Sequence, residues 1–363
     1  MGLNEKFFKS ADSVINPRDH FNTVLFTGNN STNVITTVGF QPDLSWFKNR
    51  QAGNSHALVD SVRGRSKVLF SDADTADTTS DSDKDLVSFD INGFTLGAVQ
   101  RANSFNKVDA ANNIVAWNWY APTSQTIGAS GSRLASTIKK NVTAGFSIVN
   151  YTGGGGAATV GHGLNSAPEM YIVKSRGHQT SWYTYHIGLD ASSPEDYNVR
   201  LNETSARQDS ASYWNDTAPT SSVFSIGTTT GISQSSTDFI TYCFHSVEGY
   251  SKIGSYSGNG TNQTIDVGFT PQFVMIKNST QTSAYASWIM FDSKRLVAYN
   301  DTNPLYANKS VAEGTRGNGT GDGDVLEIIF VTDTGFKLGD ASRDNGSDET
   351  NNNNETYIYY AIA

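Results

Sequence analysis

One segment of about 25 residues is written three times in this chain of 363 residues. Each copy begins with an aromatic residue followed by Thr or Ser and Gly, passes a Gly and a Pro, and ends in an apolar run that carries one lysine. The lysine lies six residues after the proline in every copy: Pro42 to Lys48, Pro168 to Lys174, and Pro271 to Lys277. We call these three residues the marker lysines. Self-similarity at a fixed spacing indicates a repeated structural unit, and it favours a building part over an enzyme.

Each copy also closes alike, with a run of aromatic and small residues in which Trp117, Tyr242 and Tyr360 are equivalent. The phrase Gly-Phe-x-Leu-Gly precedes this run in the first and third copies, at Gly93 and Gly335, whereas the second copy keeps only a remnant. We therefore predict an N-terminal arm over residues 1–19, modules over residues 20–122, 145–250 and 251–363, and a linker over residues 123–144. A module of about one hundred residues has a common domain size.

The composition favours strands and turns over helices. Only 17% of the residues are charged, 11% are aromatic, and the polar remainder is rich in Gly, Ser, Thr and Asn, which suits half-buried strands joined by many turns. We predict an all-β chain of three tandem β-sandwich modules, jelly-roll-like and with few helices. One short helix is predicted within the linker, at residues 130–140, where Leu134 and Ile138 form an apolar edge. The third module is expected to fold alone.

Charge and cysteine content exclude several classes of protein. The formal net charge is −9 and no basic cluster is present, so we expect no nucleic-acid partner. Cys243 is the single cysteine, and an internal disulfide is therefore impossible.

No run of apolar residues is long enough to cross a membrane, and the first residues lack the apolar stretch of a signal peptide.

His56, Asp60 and Ser61 lie close in sequence and suggest a catalytic triad. The repeats argue against that reading, because His56 aligns with Trp182 and Trp288. A position that accepts either His or Trp within one chain is more typical of packing than of proton transfer. Catalysis would require a base held at hydrogen-bonding distance from its nucleophile. We therefore predict no catalytic residue.

Two acidic segments and the marker lysines carry weaker signals. The segment 319–324 has two aspartates among glycines but lacks the register of a calcium loop. The run 72–85 is predicted to be a solvated loop, with weak divalent-cation binding as the alternative. We expect the marker lysines to extend from the module rim, with a repeated ligand site as the alternative. The prediction is that the protein binds no metal and no cofactor.

Five aromatic residues are candidates for surface recognition: Trp182, Tyr183, Tyr185, Tyr213 and Trp214. They lie in the second module, the most divergent of the three. Aromatic rings stack on sugars and anchor partner proteins. Burial in the sandwich core is the alternative interpretation of the same residues.

The repeated phrases resemble a domain family common in tailed bacteriophages, especially marine ones. The resemblance covers nearly the whole chain after residue 16, and its motifs are residues 26–29, 38–43, 46–50, 56–64, 93–97 and 116–119, with 161–164 and 167–170 as second-module versions. It implies a non-enzymatic virion structural protein, a tail fibre or another surface appendage, made in the cytoplasm of the bacterial host and located on the virion. The family brings no catalytic motif.

The resemblance also implies partners. These would be other virion proteins, further copies of the chain with a trimer favoured, and a host cell-surface glycan. The sequence lacks a heptad or collagen-like shaft, so a capsid decoration or head fibre protein is an alternative. A glycan-degrading tailspike is a further alternative, but it needs a pair of carboxylates across a cleft, and no such pair is singled out by the repeats.

Overall fold

A computed structural model describes residues 15–99, 105–107, 113–295, 304–315, 328–331, 334–339 and 349–363. The regular structure of the described chain is almost entirely β, with mainly antiparallel sheets stacked in pairs, so the predicted all-β sandwich class is confirmed. The two aspartates of the segment 319–324 lie outside the described residues, as does most of the predicted N-terminal arm.

The first module contains a short 3-10 helix at Pro17–Asp19 and nine strands. They are β1 (Phe21–Thr27), β2 (Asn33–Ile35), β3 (Leu44–Asn49), β4 (Ala57–Asp60), β5 (Lys67–Phe70), β6 (Thr78–Thr79), β7 (Leu86–Asp90), β8 (Gly93–Leu96) and β9 (Asn113–Trp119). A large sheet has the order β1-β9-β3-β4-β5-β6, and a small sheet has the order β2-β8-β7.

The linker and the second module contain strands β10 to β20. They are β10 (Thr123–Ile127), β11 (Arg133–Leu134), β12 (Ser136–Asn141), β13 (Phe146–Thr152), β14 (Ala158–Gly161), β15 (Met170–Ser175), β16 (Tyr183–His186), β17 (Tyr197–Arg200), β18 (Gln208–Asp209), β19 (Val223–Ile226) and β20 (Asp238–Phe244). The helices are α1 (Ala211–Trp214) and α2 (Thr230–Ser233), with 3-10 turns at Ile187–Leu189 and Pro194–Asp196. The large sheet is β10-β12-β13-β20-β15-β16-β17-β18 and the small sheet is β11-β14-β19.

The third module contains strands β21 to β28. They are β21 (Ser251–Ser257), β22 (Gln263–Asp266), β23 (Phe273–Asn278), β24 (Trp288–Asp292), β25 (Leu305–Tyr306), β26 (Ile328–Val331), β27 (Gly335–Leu338) and β28 (Thr356–Ile362). Its sheets are β21-β28-β23-β24-β25 and β22-β27-β26. No helix in the described part of the chain has the length and apolar character needed to cross a membrane.

The three modules share one strand plan. The order β1-β9-β3-β4 recurs as β13-β20-β15-β16 and as β21-β28-β23-β24, while β2-β8 recurs as β14-β19 and β22-β27. In each module the strand with the marker lysine is central and all six of its residues are buried. The chain therefore alternates between two stacked sheets in the same way three times.

The predicted linker helix is wrong, because residues 130–140 contain strands β11 and β12. Ile138 pairs with Val149 on β13 and packs in the core of the second module. Thr137 and Ile138 are adjacent β-branched residues within β12, and such residues favour a strand. A single apolar pair does not specify a helix against a neighbouring strand that offers a full hydrogen-bonded ladder.

The repeated Gly-Phe phrase has a steric cause. A Cβ atom on Gly93 would lie 2.0 Å from the carbonyl oxygen of Ile35, and one on Gly335 would lie 2.0 Å from that of Ile265. Both glycines open the strand that pairs with β2 or β22, in which the two backbones approach too closely for any side chain. Each glycine directly follows the turn of a hairpin, formed by β7 and β8 or by β26 and β27.

The three modules share one core in addition to a core of their own. Each module has its own cluster of buried apolar residues between its two sheets. The opposite face of each large sheet packs into a fourth cluster, the shared core, which draws on all three modules. Equivalent residues meet there: Trp46, Ile172 and Met275 from the central strands, and Trp117, Tyr242 and Tyr360 from the closing strands. Each large sheet is therefore buried on both faces.

Candidate functional site at the module junctions

The five recognition aromatics are not a surface. Trp182 and Trp214 are fully buried, Tyr185 and Tyr183 are buried, and only Tyr213 is partly exposed. The prediction of a surface-recognition group is therefore wrong. Tyr183, Tyr185 and Trp214 pack in the core of the second module, whereas Trp182 points the other way into the shared core. Trp182 and Tyr183 part in this way because successive side chains of an extended chain face opposite sides of a sheet, while Trp214 enters the second-module core from helix α1.

Trp182 forms part of a junction. Its indole Nε1 donates to the carbonyl oxygens of Phe70 and Ala73 in the first module, both at 3.0 Å. The equivalent Trp288 donates from Nε1 to the carbonyl oxygen of Arg200 in the second module at 2.9 Å. Trp182 and Trp288 therefore bind neighbouring modules, whereas the equivalent His56 packs against Trp46 and Trp117 of its own module. All three residues serve packing, as the repeats indicated.

One backbone hydrogen bond recurs at all three junctions. The carbonyl oxygen two residues after the marker lysine accepts an amide N–H from the neighbouring module. The N···O distances are 2.7 Å for Glu313 to Arg50, 3.0 Å for Asp77 to Arg176, and 2.8 Å for Arg207 to Ser279. Module 1 thus receives from module 3, module 2 from module 1, and module 3 from module 2. The junctions close into a ring, as head-to-tail interfaces do when their rotation closes.

The marker lysines are buried at these junctions, so their predicted place at the module rim is wrong. Lys48 Nζ donates to the carbonyl oxygens of Asn54 at 2.6 Å and of Ser310, in the third module, at 2.9 Å. Lys174 Nζ donates to that of Asp74, in the first module, at 3.1 Å. Burial lowers the pKa of Lys48 and Lys277 to about 7, although neighbouring carboxylates oppose the shift, and it lowers the pKa of Lys174 to about 8.

Two junctions contain the same ionic bridge, a carboxylate held between arginines of two modules. Asp77 lies 2.8 Å from Arg63 Nη1 of its own module and 2.9 Å from Arg176 Nε of the second module. Glu313 lies 2.7 Å from Arg295 Nη1 of its own module and 2.7 Å from Arg50 Nε of the first. Asp77 belongs to the run 72–85, which is therefore not a purely solvated loop.

The closing aromatics reach the same ionic groups. Tyr242 donates its hydroxyl to Asp60 Oδ2 at 2.8 Å, and Trp117 Nε1 donates to Asp292 Oδ2 at 3.0 Å. Each of these aspartates also pairs with the arginine three residues later, Arg63 or Arg295. Burial alone would lower the pKa of Arg63, but Asp60, Tyr242 and Asp77 raise it above its ordinary value.

The suggested triad is not assembled. His56 Nδ1 accepts from Trp46 Nε1 at 3.1 Å, and burial holds the pKa of His56 well below its ordinary value. Asp60 pairs with Arg63, while Ser61 donates its hydroxyl to Asp43 at 2.7 Å. Among the described residues, no three His, Cys, Asp or Glu side chains are grouped so that they could hold a metal ion.

The centre of the ring offers little room. A cavity of about 20 Å³ lies in the shared core and is lined by apolar and aromatic side chains of all three modules, Trp46, Tyr242 and Met275 among them. A space of this size holds one water at most. Packed side chains therefore fill the centre of the ring. The repeated residues form the junctions between the modules.

A buried histidine at the junction of the second and third modules should make the stability of the protein sensitive to acid. His186 Nδ1 accepts from Gly188 N, so its Nε2 carries the proton and donates to the carbonyl oxygen of Tyr359 in the third module at 3.1 Å. Burial lowers the pKa of His186 to about 4. The unfolded chain binds this proton near pH 6.5, so the stability that His186 gives is present above pH 6.5 and is lost as the pH falls towards 4.

We expect the His186→Gln variant to lose less stability than wild type between pH 6.5 and 4, by roughly 1.4 kcal/mol per unit of pKa shift, so about 3 kcal/mol across the window. Glutamine keeps a donor for Tyr359 without titrating. Urea unfolding at half-unit pH steps measures the slope. His178→Gln is the control at a more exposed position: burial also lowers the pKa of His178, but by less, so this variant should change the slope less than His186→Gln does. An unaltered slope in His186→Gln would contradict the assignment.

The geometry defines the class of protein. It is a three-module all-β protein whose modules are closed into a ring by repeated junction residues. The chain belongs to a family described as a domain of unknown function, DUF7483, whose model matches residues 16–363. The match runs through all three modules, so the unit of the family is the whole ring and not one repeat. No curated protein and no solved structure matches the chain.

Sequence reasoning found the junction residues but misread their place. The marker lysines, the closing aromatics and the His56 position were recognised from spacing alone. Arg50, Arg63, Asp77 and Glu313 were missed, although one signal was present: Arg50 and Arg176 stand two residues after their marker lysines. A cation repeated at one position beside a buried strand indicates an acceptor supplied by a neighbouring module.

Proposed function

We propose that the protein is a non-enzymatic structural component of a tailed-phage virion, a tail fibre or another surface appendage that binds neighbouring virion proteins. The single observation that carries the proposal is the backbone hydrogen bond that recurs at all three junctions. The residues that the repeats hold in common are used to fix the modules against one another. A chain built in this way is a rigid block, and the resemblance of its motifs to phage modules supplies the setting.

The ring also favours a particular kind of neighbour. One chain presents three similar modules in cyclic order, so it matches a partner with threefold symmetry. A trimeric fibre has that symmetry, and so does a threefold position on an icosahedral head. The second candidate is therefore a capsid decoration or head fibre protein. Assembly into a homotrimer, and a host glycan as ligand, remain part of the proposal.

Immunogold labelling of purified virions of the phage that encodes this chain tests the proposal. Antibodies raised against the folded chain should label intact particles at one kind of site, and the host lysate without particles should not carry the label. Label on the tail supports the appendage and label on the head supports the decoration protein. Particles that contain no chain by mass spectrometry and carry no label would overturn both candidates.

A further inference from the structure

A cleft of about 460 Å³ opens to solvent on the first module, beside the strands that join it to the second. We call it the module 1 cleft. Its floor is aromatic and its rim is polar, with Phe40, Gln41, Asn92, Tyr120 and Lys139 among the residues that line it. Ligand pockets usually have volumes of this order and combine an apolar surface with a few polar groups that orient the ligand.

The aromatic floor is held in place. The Tyr120 ring is partly exposed and rests on the buried ring of Phe40, with centroids 5.5 Å apart and planes tilted by 41°. The backbone of Tyr120 is fixed on both sides, since its N–H donates to the carbonyl oxygen of His20 at 3.0 Å and its own carbonyl accepts from Asn141 Nδ2 at 3.1 Å. A fixed, half-exposed ring is a platform for stacking.

Three polar groups at the cleft have hydrogen-bonding capacity to spare. Within the described part of the chain, the Tyr120 hydroxyl and the Asn92 side-chain amide have no protein partner. Lys139 Nζ has one partner, Asp43 Oδ1 at 2.8 Å, and an ammonium group has three donors. Asp43 is also held by Ser61 and by the amide of Ala121, so it keeps Lys139 at the cleft.

The cleft departs from the repeat. The residue three positions after the closing aromatic is Tyr120 in the first module, His245 in the second and Ala363 in the third. Gln41 corresponds to Thr270 of the third module, and Lys139 lies on β12, which belongs to the inserted linker. The second and third modules build the same fold without this combination of side chains, so the fold does not require it.

We propose that the module 1 cleft binds one pyranose unit of a polysaccharide. The apolar face of a sugar ring stacks on an aromatic platform, and its hydroxyl groups bind amide, hydroxyl and ammonium groups. A phosphate-bearing ligand is disfavoured, because Asp19 and Asp43 line the same cleft and the chain has a net charge of −9. Only the source of the sugar, a host surface glycan, rests on the proposed function.

Saturation-transfer difference NMR on the full chain tests this inference. The probes are the methyl glycosides of glucose, galactose, mannose and N-acetylglucosamine, each titrated to 50 mM, in a range where one weak sugar site is detectable. We expect transfer to the ring protons of at least one glycoside. Tyr120→Ala should weaken its binding at least tenfold, and Asn92→Ala should weaken it severalfold.

Asn92→Ala guards against misfolding, because the Asn92 side chain is exposed and free of protein contacts that hold the fold. Its matched control is Asn353→Ala, an exposed asparagine in the third module, which should bind as wild type does. Silence from all four glycosides overturns the inference, and so does binding that neither cleft variant weakens. Either result leaves the proposed virion function standing, since particle labelling decides that separately.

Discussion

The isolated third module, residues 251–363, is expected not to fold cooperatively, contrary to what its size and repeat boundaries suggest. Nine large apolar side chains of this module lie in the shared core: Ile253, Phe273, Met275, Trp288, Met290, Leu305, Ile358, Tyr360 and Ile362. Cutting the module out exposes them to water. Burial of such a side chain contributes roughly 1.5–3 kcal/mol, so the loss exceeds about 10 kcal/mol and is comparable with the total stability of a domain.

Near-ultraviolet circular dichroism and urea unfolding measure this outcome. The isolated module should lack a fixed aromatic signal and a sigmoidal transition. The control is the full chain cleaved at a protease site placed in the exposed turn 128–131, where the covalent link is broken but the shared core is kept. The cleaved halves should stay associated and unfold together. A cooperative transition in the isolated module would show that the shared core is dispensable.

The shared core also explains how much of the fold could be predicted from the sequence. Strand alternation and turn residues predict an all-β sandwich, because both are local signals. The shared core arises because the central strands are apolar on both faces, and Met275 and Ile276 already show this in sequence. A strand buried on both faces requires a cover on its second face, yet the sequence does not say whether that cover is a sheet of its own module or of a neighbour.

The residues of the candidate site were likewise predictable from the sequence only in part. Spacing identified the marker lysines, but a lysine at a strand end is ordinarily solvated. The buried Lys48 and Lys174 are held by carbonyl oxygens that another module supplies. The module 1 cleft was not predicted at all. Its residues come from five separated segments, around residues 19, 40, 92, 120 and 139, and no short spacing links them. Only the tertiary fold brings Tyr120 above Phe40.

The buried pair of Asp60 and Arg63 gives the second large effect. Arg63 Nε meets Asp60 Oδ2, and both side chains are fully excluded from solvent. Removing one member leaves the other charged and incompletely paired in a medium that solvates it poorly. We expect Asp60→Leu to lower the free energy of unfolding by about 3–5 kcal/mol. Arg65→Met, in the same turn but at a more exposed position, should cost under about 0.5 kcal/mol.

The double variant Asp60→Leu/Arg63→Met separates the cost of an unpaired buried charge from the cost of altered side-chain packing. It removes the unpaired guanidinium, and Asp77 keeps Arg176 as its partner, so the double variant should be more stable than Asp60→Leu alone. Adding Tyr242→Phe should recover further stability, because the Tyr242 hydroxyl loses its acceptor with Asp60. Urea unfolding at pH 7 compares the wild type, Asp60→Leu, the double variant and the triple variant. If the double variant were the least stable of them, the pair would contribute net stability through its attraction, and the junction would depend on charge pairing more than on the apolar packing around it.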